Sequence, residues 1–506
     1  MAKQCALNVD LAEVFAEPGR KRFLRMVAWG DVITVEKVTR EHLEISTVDF
    51  EEKDDGSILP VKTKGYISPK RMKPGDAVIP ARQNRVLKVN FVDVQQGDGS
   101  VIELPDGKVI LVDGGDNQLF ARYLAGRFRG TSAARPRNID CMLVTHGDAD
   151  HFVGLPKILE SETNSESRKR LFIKVKRVYH NGLVKRPGKV NGKKLKDKEM
   201  LGKTKEVDGA TLITELETNL LRVADETMNQ PFQKWKAALK EWNKRQRITF
   251  RKLSFGDDEA FDFMKKDDLE IQVLGPFLTR AGNVAGLKFL GEPPKGPRLG
   301  HESLSLGEDD FKGFSASHTI NGHSIVFRLR YGGFSFLFSG DLNDEASRAL
   351  ARMHQSGEIN LRSDVFKVPH HGSSDFSGAF FQMVSPIVSV VSSGDESARK
   401  EYIHPRATLM GALGRHSRVL EPLLFVTEMV AFFNVEGWAK LTDAAKAKKR
   451  GEFFSFSRTA FGIVKTRTDG RRLLVYTDSG KANTKEAYAY SLDENGEPVP
   501  SPVTKI

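Results

Sequence analysis

Cysteine and long apolar runs are scarce in this sequence, and both absences narrow its class. Only two of the 506 residues, Cys5 and Cys141, are cysteines, and two isolated thiols do not build a disulfide framework. No stretch approaches the ~18 consecutive apolar residues of a membrane-spanning helix, and the N-terminus lacks the basic start and apolar core of a signal peptide. We therefore expect a protein of a reducing, cytoplasmic compartment that is neither disulfide-stapled nor embedded in a membrane.

The composition is that of a folded globular protein. The chain is 39% hydrophobic, 9% aromatic and 28% charged, which excludes global disorder and a coiled coil. At roughly 100–200 residues per domain, the length allows about two to four domains or one large domain with additions.

Positive charge is concentrated in one segment. The whole chain carries a net charge of +12, while residues 168–205 alone hold fifteen basic and two acidic residues, a net charge of +13. A concentrated basic surface suggests an anionic partner, and the alternative is a solvated loop without a partner. The candidate nucleic-acid-binding residues in this segment are Lys174, Lys176, Arg177, Lys185 and Arg186.

Residue patterns divide the chain into four parts. Residues 1–84 show short alternating runs with turn clusters, which predicts a small β domain, SH3-like or similar. Residues 85–480 alternate strand and helix patterns, which predicts an α/β sandwich. Within them, residues 160–255 predict a basic, partly helical insertion with helices over 210–228 and 233–246. Residues 481–506 are predicted to form a C-terminal tail.

The strongest local signal is a cluster of metal-competent side chains directly after an apolar strand. The segment HGDADH (residues 146–151) follows the run CMLV and holds two imidazoles and two carboxylates. A strand that ends in a tight loop directs such side chains out of the sheet edge, and these ligands suit Zn, Mn, Fe or Mg. We predict a metal site completed by residues from elsewhere; the alternative is a polar loop that caps the next helix.

Other metal-competent residues also follow apolar strands. Alone, each has a simpler explanation, such as an Asp-Gly turn or a surface histidine. Their shared placement at strand ends makes them a set of candidates, namely Asp113, Asp341, His370, His371 and His404.

Taken together, these motifs resemble those of the metallo-β-lactamase superfamily. The similarity rests on His-x-Asp-x-Asp-His at 146–151 and Ser-Gly-Asp at 339–341. Three further segments, FVDVQQGDGSVIELPDGKVILVDGG, NGHSIVFRLRYGGFSFLFSGDL and FKVPHHGSS, resemble the ComEC-type branch, which includes the catalytic domain of a competence DNA-uptake protein and standalone soluble relatives. Most superfamily members have His where Asp148 stands, and their next ligand would fall near Asn321 and His323.

The resemblance implies an αββα sandwich with a metal site at one edge of its two sheets. It implies two divalent ions, Mn²⁺ or Zn²⁺ with Mg²⁺ also open, held by His146, Asp148, Asp150, His151, Asp341 and His404. It also places four residues among the catalytic residues, namely Asp150, His370, His371 and Lys367. In this assignment His370 or His371 is a metal ligand or a transition-state donor, and Lys367 contacts a substrate phosphate. It also implies that three residues support the metal ligands without binding the metal, namely Asp113, Asn321 and His323.

Ligand chemistry then narrows the reaction. The carboxylate of Asp148 hardens the ligand set and favours Mn²⁺ or Mg²⁺ over Zn²⁺, and two such ions ~3.5–4 Å apart suit phosphodiester hydrolysis. We predict a metal-dependent phosphodiesterase, a nuclease that cleaves DNA with a metal-activated water. Two alternatives stay open: a metallo-hydrolase of a small ester, lactam or nucleotide, and a non-enzymatic binder of nucleic acid or of a protein partner through the N-terminal β domain.

Overall fold

A computed structural model describes residues 2–53, 58–265, 268–291, 312–394, 404–434, 455–460, 462–478 and 486–506. The α-helices within these residues are α1 (Leu119–Arg127), α2 (Ala149–Phe152), α3 (Pro156–Ser161), α4 (Gln230–Arg245), α5 (Ala316–Gly322), α6 (Asp344–Gln355), α7 (Gly378–Val384) and α8 (Ala407–Arg415). No helix among the described residues combines the length and the apolar character needed to cross a lipid bilayer.

The strands of the first half are β1 (Lys3–Leu7), β2 (Leu11–Glu17), β3 (Lys21–Ala28), β4 (Val32–Val38), β5 (Leu43–Glu52), β6 (Ile58–Ile67), β7 (Val78–Pro80), β8 (Leu87–Phe91), β9 (Gly99–Glu103), β10 (Val109–Asp113), β11 (Arg137–Ile139), β12 (Cys141–Leu143), β13 (Ile173–Val175), β14 (Arg177–His180), β15 (Lys189–Val190), β16 (Lys193–Lys194), β17 (Thr204–Val207), β18 (Ala210–Ile213) and β19 (Thr249–Lys252). Those of the second half are β20 (Leu269–Gly275), β21 (Thr279–Ala281), β22 (Val284–Lys288), β23 (Val326–Tyr331), β24 (Phe334–Phe338), β25 (Val365–Lys367), β26 (Val388–Val391), β27 (Leu423–Val426), β28 (Glu428–Asn434), β29 (Ser455–Ala460), β30 (Ile463–Thr468), β31 (Arg472–Asp478), β32 (Ala487–Leu492) and β33 (Pro498–Ser501).

The N-terminal residues form a β unit of their own. Its strands lie in the order β3-β2-β6-β5-β4-β1-β7, with antiparallel pairing throughout. Alternating side chains such as Ile33 and Val35 are buried on one face, as the alternating pattern predicts for a sheet with one covered face.

Two larger sheets stack on each other to form the main body. One has the strand order β19-β14-β12-β10-β9-β8-β30-β31-β32-β33 and the other β20-β23-β24-β25-β26-β27. Aromatic side chains fill the space between them: the rings of Phe327 and Phe338 stack with centroids 4.6 Å apart, and Phe91 of the facing sheet lies 5.9 Å from Phe338. These strands carry apolar side chains on both faces, because one face packs on the other sheet and the other face packs on helices.

Helices cover the two outer faces. Helices α1 and α4 pack on the larger sheet through Phe120, Leu124 and Trp235, among others, while α6, α7 and α8 pack on the smaller sheet. The layers are therefore helix, sheet, sheet, helix, and the predicted αββα sandwich is the observed architecture.

The basic segment differs from its predicted form. Within residues 160–255, β14 and β19 are parallel strands of the larger sheet, so this stretch contributes to the sandwich as well as projecting from it. Because parallel neighbours need a crossover connection, residues 181–248 form a long crossover that carries β15–β18 and α4. The predicted helix over 233–246 matches α4, but the predicted helix over 210–228 does not form. Its first residues are strand β18, which pairs with β17 and β22, and this tertiary pairing overrides the local helical spacing.

The C-terminal residues are not a tail in the described part of the chain. Strands β32 and β33 extend the larger sheet, and the Ile506 side chain lies in the core of the N-terminal β unit. The predicted boundary near residue 480 falls among residues 479–485, which lie outside the described residues.

Candidate metal centre

Four strands of the sandwich end at one edge, and each delivers a polar side chain there. Asp113 is the last residue of β10, and His146 lies just beyond β12. In the other sheet, Asp341 follows β24 and His371 follows β25. The strands pair in parallel within each sheet, so their carboxyl ends share an edge, which is where α/β sheets place their sites.

The side chains of His146, His151 and Asp341 converge on one buried point. His151 Nε2 lies 3.2 Å from Asp341 Oδ1, and His146 Nε2 lies 3.8 Å from Asp341 Oδ2. Both Nε2 atoms and Asp341 Oδ1 are buried and make no hydrogen bond within the described part of the chain. Buried polar atoms without partners destabilise a fold, so this group is suited to a cation that all three residues share.

His371 and Asp150 extend the group on one side. His371 Nε2 lies 3.2 Å from Asp341 Oδ2 and 3.4 Å from Asp150 Oδ2, and it too has no hydrogen-bond partner in the described residues. Gln96 donates a hydrogen bond of 3.1 Å to Asp150 Oδ2. Asp150 is half-buried, so it forms the part of the group that opens towards solvent.

Two further carboxylates orient the imidazoles from behind. Asp113 Oδ2 lies 3.0 Å from His151 Nδ1 and accepts a hydrogen bond of 2.7 Å from the Thr145 hydroxyl. Asp98 Oδ1 lies 3.3 Å from His371 Nδ1. In both histidines Nδ1 faces an acceptor, so Nε2 is the ring atom that faces the centre, as in carboxylate–histidine–metal arrangements.

Charge and burial shift the pKa values of the group in opposite directions. Burial would raise the pKa of Asp341, but His151 and His371 hold it well below its usual range. Burial would lower the pKa of His371, but Asp341 and Asp150 raise it well above the ordinary value. Burial lowers the pKa of His146, and the neighbouring His151 lowers it further. Asp341 is thus anionic at neutral pH, and the carboxylates together favour a bound cation.

Gly97 allows the loop that carries Asp98 to approach the metal motif. Its φ is +101°, and a Cβ atom at this position would lie 1.8 Å from the backbone oxygen of Asp150. The next residue, Asp98, donates its backbone N–H to that same oxygen at 3.3 Å. Only glycine fits this close approach, so it sets the position of the Asp98 carboxylate.

The structure brings together six of the predicted residues: Asp113, His146, Asp150, His151, Asp341 and His371.

Other predicted residues lie at the rim. Asp148 pairs with Lys185 at 2.9 Å and belongs to none of the convergent groups in the described residues. His370 Nε2 lies 3.4 Å from Asn321 Nδ2. The ring of His404 lies 6.4 Å from that of His370, and burial lowers the pKa of His404 to about 3.

Two predicted residues point elsewhere. His323 Nε2 lies 2.7 Å from the backbone oxygen of Lys288, so the ring faces β22 rather than the metal group. Lys367 is buried, with Nζ 2.7 Å from Asp98 Oδ1. The predicted contact of Lys367 with a substrate phosphate does not match this position, because its ammonium group neutralises the carboxylate behind His371.

Most of the predicted nucleic-acid-binding residues make contacts within the chain. Lys176 pairs with Asp140, Arg177 lies over the ring of Phe263, Lys185 pairs with Asp148, and Arg186 pairs with Glu215. Lys174 on β13 is half-buried. Exposed lysines of the segment include Lys189, Lys193 and Lys194 of the β15–β16 hairpin.

No role was predicted for Asp98 or Thr145 from the sequence. A signal for Asp98 was present, because QQGDGS is a polar loop directly after the apolar strand β8, as at the other strand ends. Thr145 carried no such signal, since its contact with Asp113 depends on the parallel pairing of β10 and β12.

Comparisons with known proteins agree with this geometry. The family model described as the metallo-beta-lactamase superfamily matches residues 92–168. ComE operon protein 3 of Bacillus subtilis (strain 168) is 34% identical over 102 residues, which is 20% of this chain and 12% of that protein. Competence protein ComA of Neisseria gonorrhoeae is 36% identical over 97 residues, which is 19% of this chain and 13% of that protein. The matched regions are therefore small parts of both relatives.

The crystal structure of a new diphosphatase from the PhnP family aligns over 60% of this chain and 85% of its own, at 14% identity and a TM-score of 0.23. Residues 92–168 of the chain therefore match the metallo-beta-lactamase superfamily, and about a fifth of the chain is similar to ComEC-type competence proteins.

Proposed function

We propose that this protein is a metal-dependent phosphodiester hydrolase that acts on DNA. The observation that carries the proposal is the convergence of three imidazole Nε2 atoms, those of His146, His151 and His371, on the buried carboxylate of Asp341. None of the three nitrogens has a hydrogen-bond partner in the described residues. Hydrolase chemistry in this superfamily depends on divalent metal ions, and the residues present fit such ions.

The donor set would hold divalent cations through His146, His151, His371, Asp150 and Asp341. When bound, such ions act as Lewis acids that activate water and neutralise charge on a phosphate group. The carboxylate of Asp113 adds negative charge behind His151, whereas that of Asp98 is neutralised by Lys367. Because hard, anionic ligand sets suit Mn²⁺ and Mg²⁺ better than a purely imidazole site does, we propose Mn²⁺ as the preferred ion.

Asp150 and His370 are the groups that we propose to contact the attacking water and the substrate. Burial would raise the pKa of Asp150, but contact with His371 and the charge of His151 hold it below its usual range. Asp150 is therefore anionic, and its partly exposed carboxylate can accept a hydrogen bond from an attacking water and orient it. His370 lies at the rim, with its Nε2 3.4 Å from Asn321 Nδ2, and we propose that its ring contacts a phosphate oxygen of the substrate.

Two observations favour DNA as the substrate. One similar protein is Competence protein ComA of Neisseria gonorrhoeae, and we propose a role in DNA handling for the related region of this chain. The hairpin of β15 and β16 exposes three lysines, and exposed lysines supply the sequence-independent part of nucleic-acid binding.

The proposal is tested by incubating the full chain with end-labelled single- and double-stranded DNA and Mn²⁺, Mg²⁺ or Zn²⁺. We expect cleavage to be fastest with Mn²⁺. Asp341→Asn should reduce the cleavage rate by more than the roughly 10–100-fold that is typical when a residue hydrogen-bonded to a metal ligand is replaced. Asp106→Asn is the matched control, because Asp106 lies in the turn before β10, at the opposite end of the strand from Asp113.

Parallel reactions with bis-p-nitrophenyl phosphate and a lactam separate the alternatives. Hydrolysis of the small phosphodiester without DNA cleavage would indicate that the substrate is a small phosphodiester rather than DNA. Hydrolysis of the lactam alone would show that the protein is not a phosphodiesterase. Absence of bound metal after purification without chelator, together with no hydrolysis, would indicate a non-enzymatic binder.

A further inference from the structure

A cavity beside the β15–β16 hairpin combines lysines with an aromatic ring. Its volume is about 550 Å³, and the described residues that line it are Lys194, Leu195, Lys196, Asp197, Lys198 and Phe314. Three lysines and one aspartate give the lining a net positive charge. None of these six residues belongs to the convergent donor groups of the described chain, so the cavity is separate from the metal group.

Phe314 presents its ring to this cavity from a fixed support. The residue is 40% exposed, and its ring meets that of the buried Phe289 edge-on, with centroids 5.3 Å apart. The Phe289 N–H donates to the backbone oxygen of Thr211 at 2.7 Å, and the Ser315 N–H donates to that of Leu290 at 3.1 Å. Because the ring is already held in place, a planar ligand can pack against it with little further loss of side-chain freedom.

The lysine segment is joined to the same support. Asp197 Oδ2 accepts a hydrogen bond of 2.9 Å from the Ala316 N–H at the start of α5. Lys198 Nζ lies 5.0 Å from the centroid of the Phe314 ring and also pairs with Glu206. Lys194 and Lys196 are exposed. The cavity therefore places cations within a short distance of an aromatic face, where the ring itself attracts them.

Helix α5 connects the cavity to the metal group. It begins at Ala316, two residues after Phe314. Near its other end, Asn321 Nδ2 lies 3.4 Å from His370 Nε2. The seven residues of this helix span ~10 Å, the length of about three stacked nucleotides at ~3.4 Å each. A DNA strand with one phosphate at the metal group can therefore reach the cavity with a nearby nucleotide.

The pairing of a ring with lysines favours one form of DNA. Lysines alone attract the phosphates of single strands and duplexes alike. In a duplex the flat faces of the bases are covered by their neighbours, whereas an unpaired base can stack on an aromatic side chain. The side chain of Lys198 is 36% exposed, so its ammonium group can move from the ring to a phosphate when a base stacks there.

We propose that this cavity binds an unpaired base of single-stranded DNA on the Phe314 ring, while its lysines contact the adjacent phosphates. The inference rests on the proposed function and deepens it, because it names single-stranded DNA as the form that the protein binds. The metal group acts on the phosphodiester bond, and the cavity holds a neighbouring nucleotide.

The test measures binding of the full chain to three labelled probes by fluorescence anisotropy, with EDTA present to prevent cleavage. The probes are an oligothymidylate, an oligomer of equal length with abasic sites, and a duplex of that length. Phe314→Leu keeps an apolar contact with Phe289 and removes the aromatic face. We expect it to raise the Kd for oligothymidylate roughly fivefold or more, the size of one lost base–aromatic stack, and to leave the other two Kd values unchanged.

Two further variants make the result specific. Phe314→Trp keeps an aromatic face and should retain the wild-type Kd for oligothymidylate. Phe23→Leu is the matched control, because Phe23 of the N-terminal β unit is 37% exposed and also meets a buried ring edge-on, that of Phe15, at 6.1 Å. It should bind all three probes as the wild type does. Should Phe314→Leu unfold in a thermal scan, Phe314→Met replaces it.

Two results would overturn the stacking site. One is an equal Kd for oligothymidylate in the wild type and Phe314→Leu, and the other is an equal rise for all three probes, which a loss of bases could not explain. In either case, cleavage of DNA by the wild type with Mn²⁺ would leave the proposed function intact. Failure of the wild type both to bind and to cleave DNA would instead remove the proposed function and this inference with it.

Discussion

At the scale of single residues, the ion pair behind His371 decides how one histidine is presented. Lys367 Nζ lies 2.7 Å from Asp98 Oδ1, and both side chains are almost completely buried. Burial would raise the pKa of Asp98, but Lys367 and then His371 lower it. Lys367 thus keeps Asp98 ionised, and Asp98 and the backbone oxygen of Ser392, which lies 3.1 Å from His371 Nδ1, together direct Nε2 of His371 towards the centre.

This arrangement predicts that Lys367→Met acts on stability rather than on substrate binding. Removing one partner of a buried ion pair leaves an uncompensated charge and costs about 3–5 kcal/mol. We expect a loss of this order in the free energy of unfolding measured with urea. The double variant Lys367→Met with Asp98→Asn should recover part of it, because the unpaired charge is gone.

A residue that contacts substrate would behave differently. If Lys367→Met raised KM for the phosphodiester and left the urea midpoint unchanged, Lys367 would have to reach the substrate and our description of its role would be incorrect. Lys194→Met, an exposed lysine, serves as the control for loss of a charge without loss of a buried pair.

The sequence anticipated which side chains lie close together where those residues are local in the chain. His146, Asp150 and His151 lie in six consecutive residues after one strand, so their proximity follows from the sequence alone. The pairs Asp98–Lys367 and Asp148–Lys185 join distant segments, and nothing in the sequence specifies which acidic group each lysine meets. These contacts depend on the path of the loops in three dimensions.

At the scale of elements, apolar patterning predicted the sandwich strands well and the crossover poorly. Strands such as β10 and β24 are buried on both faces and read as continuous apolar runs. In the crossover, residues 210–228 have helical spacing, but Leu212 and Ile213 pair with β22. A local residue pattern holds no information about pairing with a strand some seventy positions later in the chain. For this reason the helix was predicted incorrectly.

The hairpin of β15 and β16 is the element that we expect to contact DNA. Its lysines Lys189, Lys193 and Lys194 are exposed, whereas the basic residues nearer the sandwich are mostly paired. Replacing all three with Gln should weaken DNA binding and reduce the slope of log K against log salt by about 2, because each lost phosphate contact removes ~0.7–0.9 from it. Fluorescence anisotropy at several salt concentrations measures this slope.

A matched control tests whether position or charge alone matters. The triple variant of Lys37, Lys62 and Lys70 to Gln removes the same charge from exposed positions of the N-terminal β unit. Equal reductions of the slope in both triple variants would show that the hairpin has no special part in binding. An unchanged Mn²⁺ affinity in the hairpin variant would confirm that the metal group is intact.

At the scale of the whole molecule, the two ends of the described chain meet. Leu11 of β2 donates its N–H to the backbone oxygen of Thr504 at 3.1 Å, and Glu13 donates to that of Ile506 at 2.8 Å. The last residues therefore pair with the N-terminal β unit, while β32 and β33 belong to the sandwich. Patterning in residues 481–506 did not reveal this, because the contacts lie at the far end of the chain.

Asp10 is the charged centre of this junction, and its replacement should uncouple the two units. The side chain is fully buried, and Oδ2 accepts hydrogen bonds from Arg472 Nη2 at 2.8 Å and from the Thr504 N–H at 2.6 Å. In Asp10→Asn the charged pair is lost, and since Arg472 is partly exposed we expect a cost at the lower end of the ~3–5 kcal/mol range for broken buried pairs. Calorimetry should then resolve an earlier transition for the N-terminal β unit, while the sandwich unfolds at the wild-type temperature. A single transition at an unchanged temperature would mean that the main-chain pairing at Leu11 and Glu13 holds the units together without Asp10.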